Sequence, residues 1–133
     1  MHFQIGNTVD ALAGFLAQLE QIPGYDELPE DHVFSLRLVI EELLSNIVKH
    51  SNADTITVEI AMSSSGVSAR IRDNGSPFDP FQETQKTEVA ETIEEQEIGG
   101  MGVFLVTSLA NDYRYRREQE NNIVDFTIGE KQL

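Results

Sequence analysis

The sequence contains no cysteine. That removes disulfides, thiolate metal centres and cysteine nucleophiles together, and it suits a reducing cytoplasm. Positive charge is scarce: nine Lys and Arg stand against 23 Asp and Glu, a formal net charge of −14. A surface of that sign repels phosphate backbones, which argues against general nucleic-acid binding. No uninterrupted apolar run reaches the roughly 18 residues that a membrane span needs. The start, Met1 to Asn7, lacks the basic and apolar regions of a secretory signal. Missing as well are the Gly-Lys-Ser/Thr ending of a Walker loop and the G-x-G-x-x-G dinucleotide fingerprint. The expectation is a soluble, cytoplasmic protein without nucleic-acid or membrane partners.

What is present suits one globular domain, residues 1–133, with 40% hydrophobic residues to build its core. Residues 2–6 read as a strand. Asn7 or Thr8 then caps a helix carrying Leu12, Phe15, Leu16 and Leu19 on one face, which Pro23-Gly24 ends. A second helix starts near Pro29, with Glu30 and Asp31 in its first turn, and runs to about Ser51. Thr55–Met62 and Val67–Arg72 alternate at period two around Ser64-Ser65-Gly66, a hairpin with one buried face. Residues 81–98 are acidic and predict a mobile loop, with a helical turn around Val89 to Glu95. A third helix follows Gly99-Gly100-Met101-Gly102. A closing hairpin, Tyr113–Arg117 and Ile123–Ile128, turns at Glu120-Asn121-Asn122. The order predicts an α+β two-layer sandwich: a mixed, largely antiparallel sheet with about three helices on one face.

Three places could carry chemistry. On the second helix, Glu42, Asn46 and Lys49 follow i, i+4, i+7 spacing and share a face. A carboxylate and an amide oxygen one turn apart suit a hard cation or an attacking hydroxyl; the same spacing also suits a solvated face with a Glu42–Lys49 contact. Asp73-Asn74-Gly75 follows a strand, and its aspartate could cap its own turn or accept a hydrogen bond from a ligand amine. Gly99-Gly100-Met101-Gly102 precedes an apolar helix, so it is either a hinge or a source of free backbone N–H groups for an anion. An anionic nucleotide on so negative a chain needs local positive potential, and a helix N-terminus and a bound Mg²⁺ are the simplest sources. Of His2, His32 and His50, only His50 is near these residues; it lies at a helix end where a cation suits the dipole and reads as structural.

Taken in this order, the three resemble the boxes of the GHKL (Bergerat-fold, histidine-kinase-like) ATPase superfamily, in particular its bacterial anti-sigma-factor serine/threonine kinase branch. Glu42 to His50 looks like the N-box. Asp73 to Pro80, with Phe78-Asp79-Pro80, looks like the first glycine box. Ile98 to Val106 looks like the second, and Tyr113 to Ile128 looks like the final hairpin. The resemblance implies Glu42 as catalytic base, Asn46 as the Mg²⁺ ligand, Asp73 as acceptor for the adenine amino group and Gly75 as the point of close approach. It implies Gly100 and Gly102 as donors to the phosphates and Lys49, Phe78, Gly99, Met101 and Val103 as further ATP-binding positions, under a mobile ATP lid at about 81–98. The implied activity is ATP- and Mg²⁺-dependent phosphorylation of a STAS-type anti-anti-sigma protein. A sigma factor or another regulator would be the competing partner, and homodimers occur in that family. The alternative is a nucleotide-binding interaction module that transfers nothing, to which an acidic lid with Lys86 as its single cation points. The turn Glu120-Asn121-Asn122-Ile123 departs from the Gly-Thr pair that many GHKL proteins carry there. The length leaves no room for a separate phosphoacceptor-histidine hairpin.

Overall fold

The structure is a computed structural model, and it describes residues 1–81 and 106–129. Strand β1 (His2–Gly6) leads into helix α1 (Val9–Gln18), whose N-cap is Thr8: its hydroxyl accepts from Ala11 N at 3.0 Å. The helix ends earlier than Pro23-Gly24. It tightens into a 3₁₀ turn at Leu19–Gln21, and a second such turn, Tyr25–Glu27, follows. Gly24 joins the two with φ of 97°, and a Cβ there would sit 2.1 Å from the carbonyl oxygen of Met62, so no other residue fits. Helix α2 (Glu30–His50) begins with two acids and ends with Lys49 and His50, in the sense its dipole favours.

Strands β2 (Thr55–Ser63) and β3 (Gly66–Asp73) form the expected hairpin. Strands β4 (Asp112–Glu118) and β5 (Asn121–Gly129) form the second. The spatial order is β1-β2-β3-β5-β4, and the sheet, expected to be largely antiparallel, is antiparallel in all four pairings. Residues 106–109 are helical, within the span expected for the third helix. The expected helical turn around Val89 to Glu95 lies outside the described residues.

Alternation assigns the faces. Ile56, Val58, Ile60 and Met62 of β2, Ile71 of β3, and Val124, Phe126 and Ile128 of β5 point into the core, where they meet Leu36, Val39, Ile40, Leu43 and Leu44 of α2 and Leu12 and Phe15 of α1. One position corrects the sequence reading. The closing turn is Gln119-Glu120, both at positive φ (50° and 65°), as a two-residue hairpin turn requires. Asn121 and Asn122 therefore lie inside β5, paired with Glu118 and Arg117. The turn propensity of two asparagines is outweighed by the register of the apolar alternation that follows them.

Candidate functional site

Asn46 is 4% exposed, so the solvated-face reading of α2 fails at this position. Its side chain, with Leu43 and Ile47, walls a cavity of about 20 Å³ whose other lining includes Ser51, Ile71, Asp73, Phe78, Pro80, Asn122 and Val124. That is room for about one water. Asn46 Nδ2 is buried without a hydrogen-bond partner among the described residues. Leaving such a group unmet in an apolar surrounding costs about 1–3 kcal/mol. Which end of the amide is nitrogen is an assignment.

Glu42, one turn earlier, is half-buried. Burial raises its carboxyl above the ordinary carboxylate value; Glu41 adds to that, and the Lys49 ammonium partly offsets it. Lys49 and His50 are exposed at the helix end, and the His50 ring stacks on Phe78 with centroids 5.2 Å apart and planes 15° from parallel.

Across the cavity, Asp73 is 5% exposed at the end of β3. It caps its own turn, with Gly75 N donating to Oδ1 at 2.9 Å, and it also lines the cavity. Oδ1 accepts twice more, from Ser51 Oγ at 3.1 Å and from Asn122 Nδ2 at 3.0 Å. Oδ2 has no hydrogen-bond partner among the described residues. The close approach at Gly75 is to the protein itself: a Cβ there would lie 1.8 Å from Ser51 Oγ and 3.0 Å from both Ala53 N and Asp73 Oδ1. Its φ is outside the left-handed region, so what the position demands is space. The loop around it is laced to the chain after α2: Asn52 Oδ1 accepts from Ser76 N and Oγ, both at 3.0 Å, and Asn74 Oδ1 accepts from Asp54 N at 2.8 Å.

Four contributors escaped the sequence reading: Ser51, Tyr115, Arg117 and Asn122. Asn122 had a legible signal, since it falls at period two with Val124, Phe126 and Ile128 and so belongs to the buried stripe of β5. Gly99, Gly100, Met101, Gly102 and Val103, and the lid at 81–98 beyond Phe81, lie outside the described residues. A broad hollow, about 950 Å³, lies on the opposite sheet face, lined by residues such as Glu59, Arg70, Arg114 and Asp125. Its charges pair with one another, Arg70 to Asp125 at 2.7 Å and Arg114 to Asp125 at 3.4 Å, and its lining includes none of Glu42, Asn46, Lys49, Asp73, Gly75 and Phe78.

No group of three or more His, Cys, Asp or Glu able to hold a metal occurs among the described residues. The donor set nonetheless suits Mg²⁺ with a nucleotide, because that ion keeps several waters and takes phosphate oxygens, leaving the protein one or two ligands to supply. An unsatisfied amide end of Asn46, one turn from a carboxylate, fits that need.

Residues 5–128 match the family described as histidine kinase-like ATPase domain. The chain is 34% identical over 106 residues to serine-protein kinase RsbW of Listeria monocytogenes (serotype 4a, strain HCC23), covering 74% of this chain and 68% of that one. Identity to the protein of the same name from Listeria innocua is also 34% over 106 residues, with the same coverage. A crystal structure of RsbU and RsbW domains from Mycobacterium tuberculosis superposes on 97% of this chain and 31% of that one, with a TM-score of 0.66 at 16% identity. The Acinetobacter baumannii histidine kinase AdeS superposes on 99% of this chain and 68% of that one, with a TM-score of 0.52 at 11% identity. At such identities the structures speak for the fold alone. With the family match spanning nearly the whole chain, the protein belongs to the histidine kinase-like (GHKL) ATPase family and is a homologue of the RsbW serine-protein kinases.

Proposed function

We propose that the chain is a cytoplasmic, ATP-dependent serine/threonine protein kinase that phosphorylates a STAS-type anti-anti-sigma protein. In the competing complex it holds a sigma factor or another regulator, so that transcription is controlled by exchange of partners. The observation that carries this reading is the convergence on one cavity of Asn46, with a buried amide end unmet among the described residues, and Asp73, with a carboxylate oxygen uncommitted among them. Names of relatives support the kinase assignment.

In this reading Asp73 Oδ2 accepts from the purine amino group. Asn46 would hold Mg²⁺, which would supply positive charge to offset the phosphates on a chain of net −14. Gly100 and Gly102 supply backbone N–H groups to the same phosphates. Glu42 takes the proton of the acceptor hydroxyl while that oxygen bonds to the γ-phosphorus, the bond from phosphorus to the β–γ bridging oxygen breaks, and ADP leaves. A carboxyl raised by burial is a stronger base than an ordinary one, as this role needs. The cavity formed by the described residues holds about one water, so a purine needs more room than it offers.

Calorimetry with Mg-ATP tests the binding half. Wild type binds, and Asn46→Ala weakens the magnesium-dependent affinity by about tenfold or more, the loss of one contact of about 1.4 kcal/mol. Unchanged binding removes the metal assignment. Radiolabelled ATP with a STAS-type partner tests the transfer half by the appearance of phosphoserine or phosphothreonine. The lid sequence, with Lys86 its single cation, favours a second reading in which nucleotide is bound and sets partner choice without transfer. Nucleotide binding without label on any partner would select it.

A further inference from the structure

We infer that Asn122 is a positioning residue for base selection: it locks the Asp73 carboxylate so that only Oδ2 faces the ligand cavity. The inference rests on the nucleotide reading above and concerns a residue outside the motifs that led to it.

Asn122 stands directly across the ladder from Asp73, on the neighbouring strand, and is 3% exposed. Both ends of its carboxamide are spoken for. Nδ2 donates to Asp73 Oδ1 at 3.0 Å and to the carbonyl of Ser76 at 2.8 Å. Oδ1 accepts from Tyr115 Oη at 2.7 Å, from Phe78 N at 3.2 Å and from Arg117 Nη1 at 3.2 Å. Burial raises the Tyr115 phenol above its ordinary value, which keeps it a donor at neutral pH. Three donors on one end and two acceptors on the other fix the amide's orientation, since a flip would set donors against donors. The nitrogen is therefore held on Asp73.

Together with Ser51 Oγ and Gly75 N, it gives Oδ1 three donors. Rotation of the carboxylate would break all three. Oδ2 is left as a fixed acceptor, favourable to a purine 6-amino group and repulsive to a 6-oxo oxygen. Buried sites of this kind discriminate by the polar mismatch they impose on the wrong ligand.

The test compares ATP with inosine triphosphate, which presents a 6-oxo oxygen where ATP presents its amino group. Wild type favours ATP by about tenfold or more. Asn122→Leu, similar in size and without a donor, frees the carboxylate to turn. The ATP-to-ITP affinity ratio then falls by about tenfold, toward one. Asn122→Thr, whose hydroxyl can donate to Oδ1, restores part of the ratio. A merely structural role would lower both affinities together and leave the ratio where it was. Ser51→Ala removes a different donor from the same oxygen and moves the ratio in the same direction, so the test stands even if Asn122→Leu does not fold. A wild-type ratio in either folded variant overturns the inference while the nucleotide reading survives. Binding of neither triphosphate by wild type overturns both.

Discussion

Replacing Gly75 by alanine puts one methyl group where Ser51 Oγ already is, 1.8 Å away, with Ala53 N and Asp73 Oδ1 each at 3.0 Å. The serine hydroxyl can swing aside, but the Ala53 backbone cannot. Overpacking of this kind costs about 1–3 kcal/mol. Displacing Ser51 Oγ also strands its bonds to Asp73 Oδ1 and Ala53 N, both buried, for about 1–3 kcal/mol more. The expected loss is about 2–6 kcal/mol, a large part of a typical stability. Urea unfolding would report it directly, and a thermal melt would fall by roughly 6–24 °C. The cause is separable from a general dislike of alanine. In the double variant Ser51→Ala, Gly75→Ala the obstructing oxygen is gone, and stability exceeds the sum of the single effects by about 1 kcal/mol or more. A Gly75→Ala protein within about 0.5 kcal/mol of wild type would refute the reasoning, because the close approach would then be relieved at no cost.

Two further outcomes are expected. A carboxyl raised on folding, as Glu42 is, contributes stability below its unfolded pKa and loses it as pH rises through the folded value. At pH about 7 the ionised Glu42 is thus a burden. Glu42→Gln leaves the protein as stable or more stable there, by under about 1 kcal/mol given solvent screening. That gain fades in melts below pH about 4, while phosphotransfer drops about 10²–10⁴-fold. A destabilised Glu42→Gln at neutral pH, or one that still transfers, contradicts the assignment. Thr8→Ala removes the side-chain cap of α1 and lowers stability by about 1 kcal/mol in chemical denaturation; no change would mean that water replaces the hydroxyl freely.

The elements were legible where one period ruled. Residues 55–62 and 67–72 alternate cleanly because one face of each strand meets helices, and α2 carries a continuous apolar stripe with acids first and bases last. Of the site, Glu42, Asn46 and Asp73 were legible as chemistry-bearing types in the right order. The burial of Asn46 was not, since helical spacing groups residues by angle and is silent on which neighbour's side chain closes over them. Asn122 was read as a turn residue because asparagine is common in turns. Its true place follows from strand register, a property of two segments jointly. Ser51 and Arg117 act through contacts 22 and 42 residues along the chain, with Asp73 and Gly75, which no local window contains.

Strand order has a consequence for timing. Asp73 closes β3, the middle strand, and Asn122 opens β5 beside it, while β1 and β4 form the rims. Rim amides can exchange with solvent deuterium by local fraying, whereas amides paired between β3 and β5 wait for the molecule to open globally. The carboxylate that would choose the base is anchored at one end of that central ladder, two strands in from the β1 rim and away from the fraying edges of the sheet.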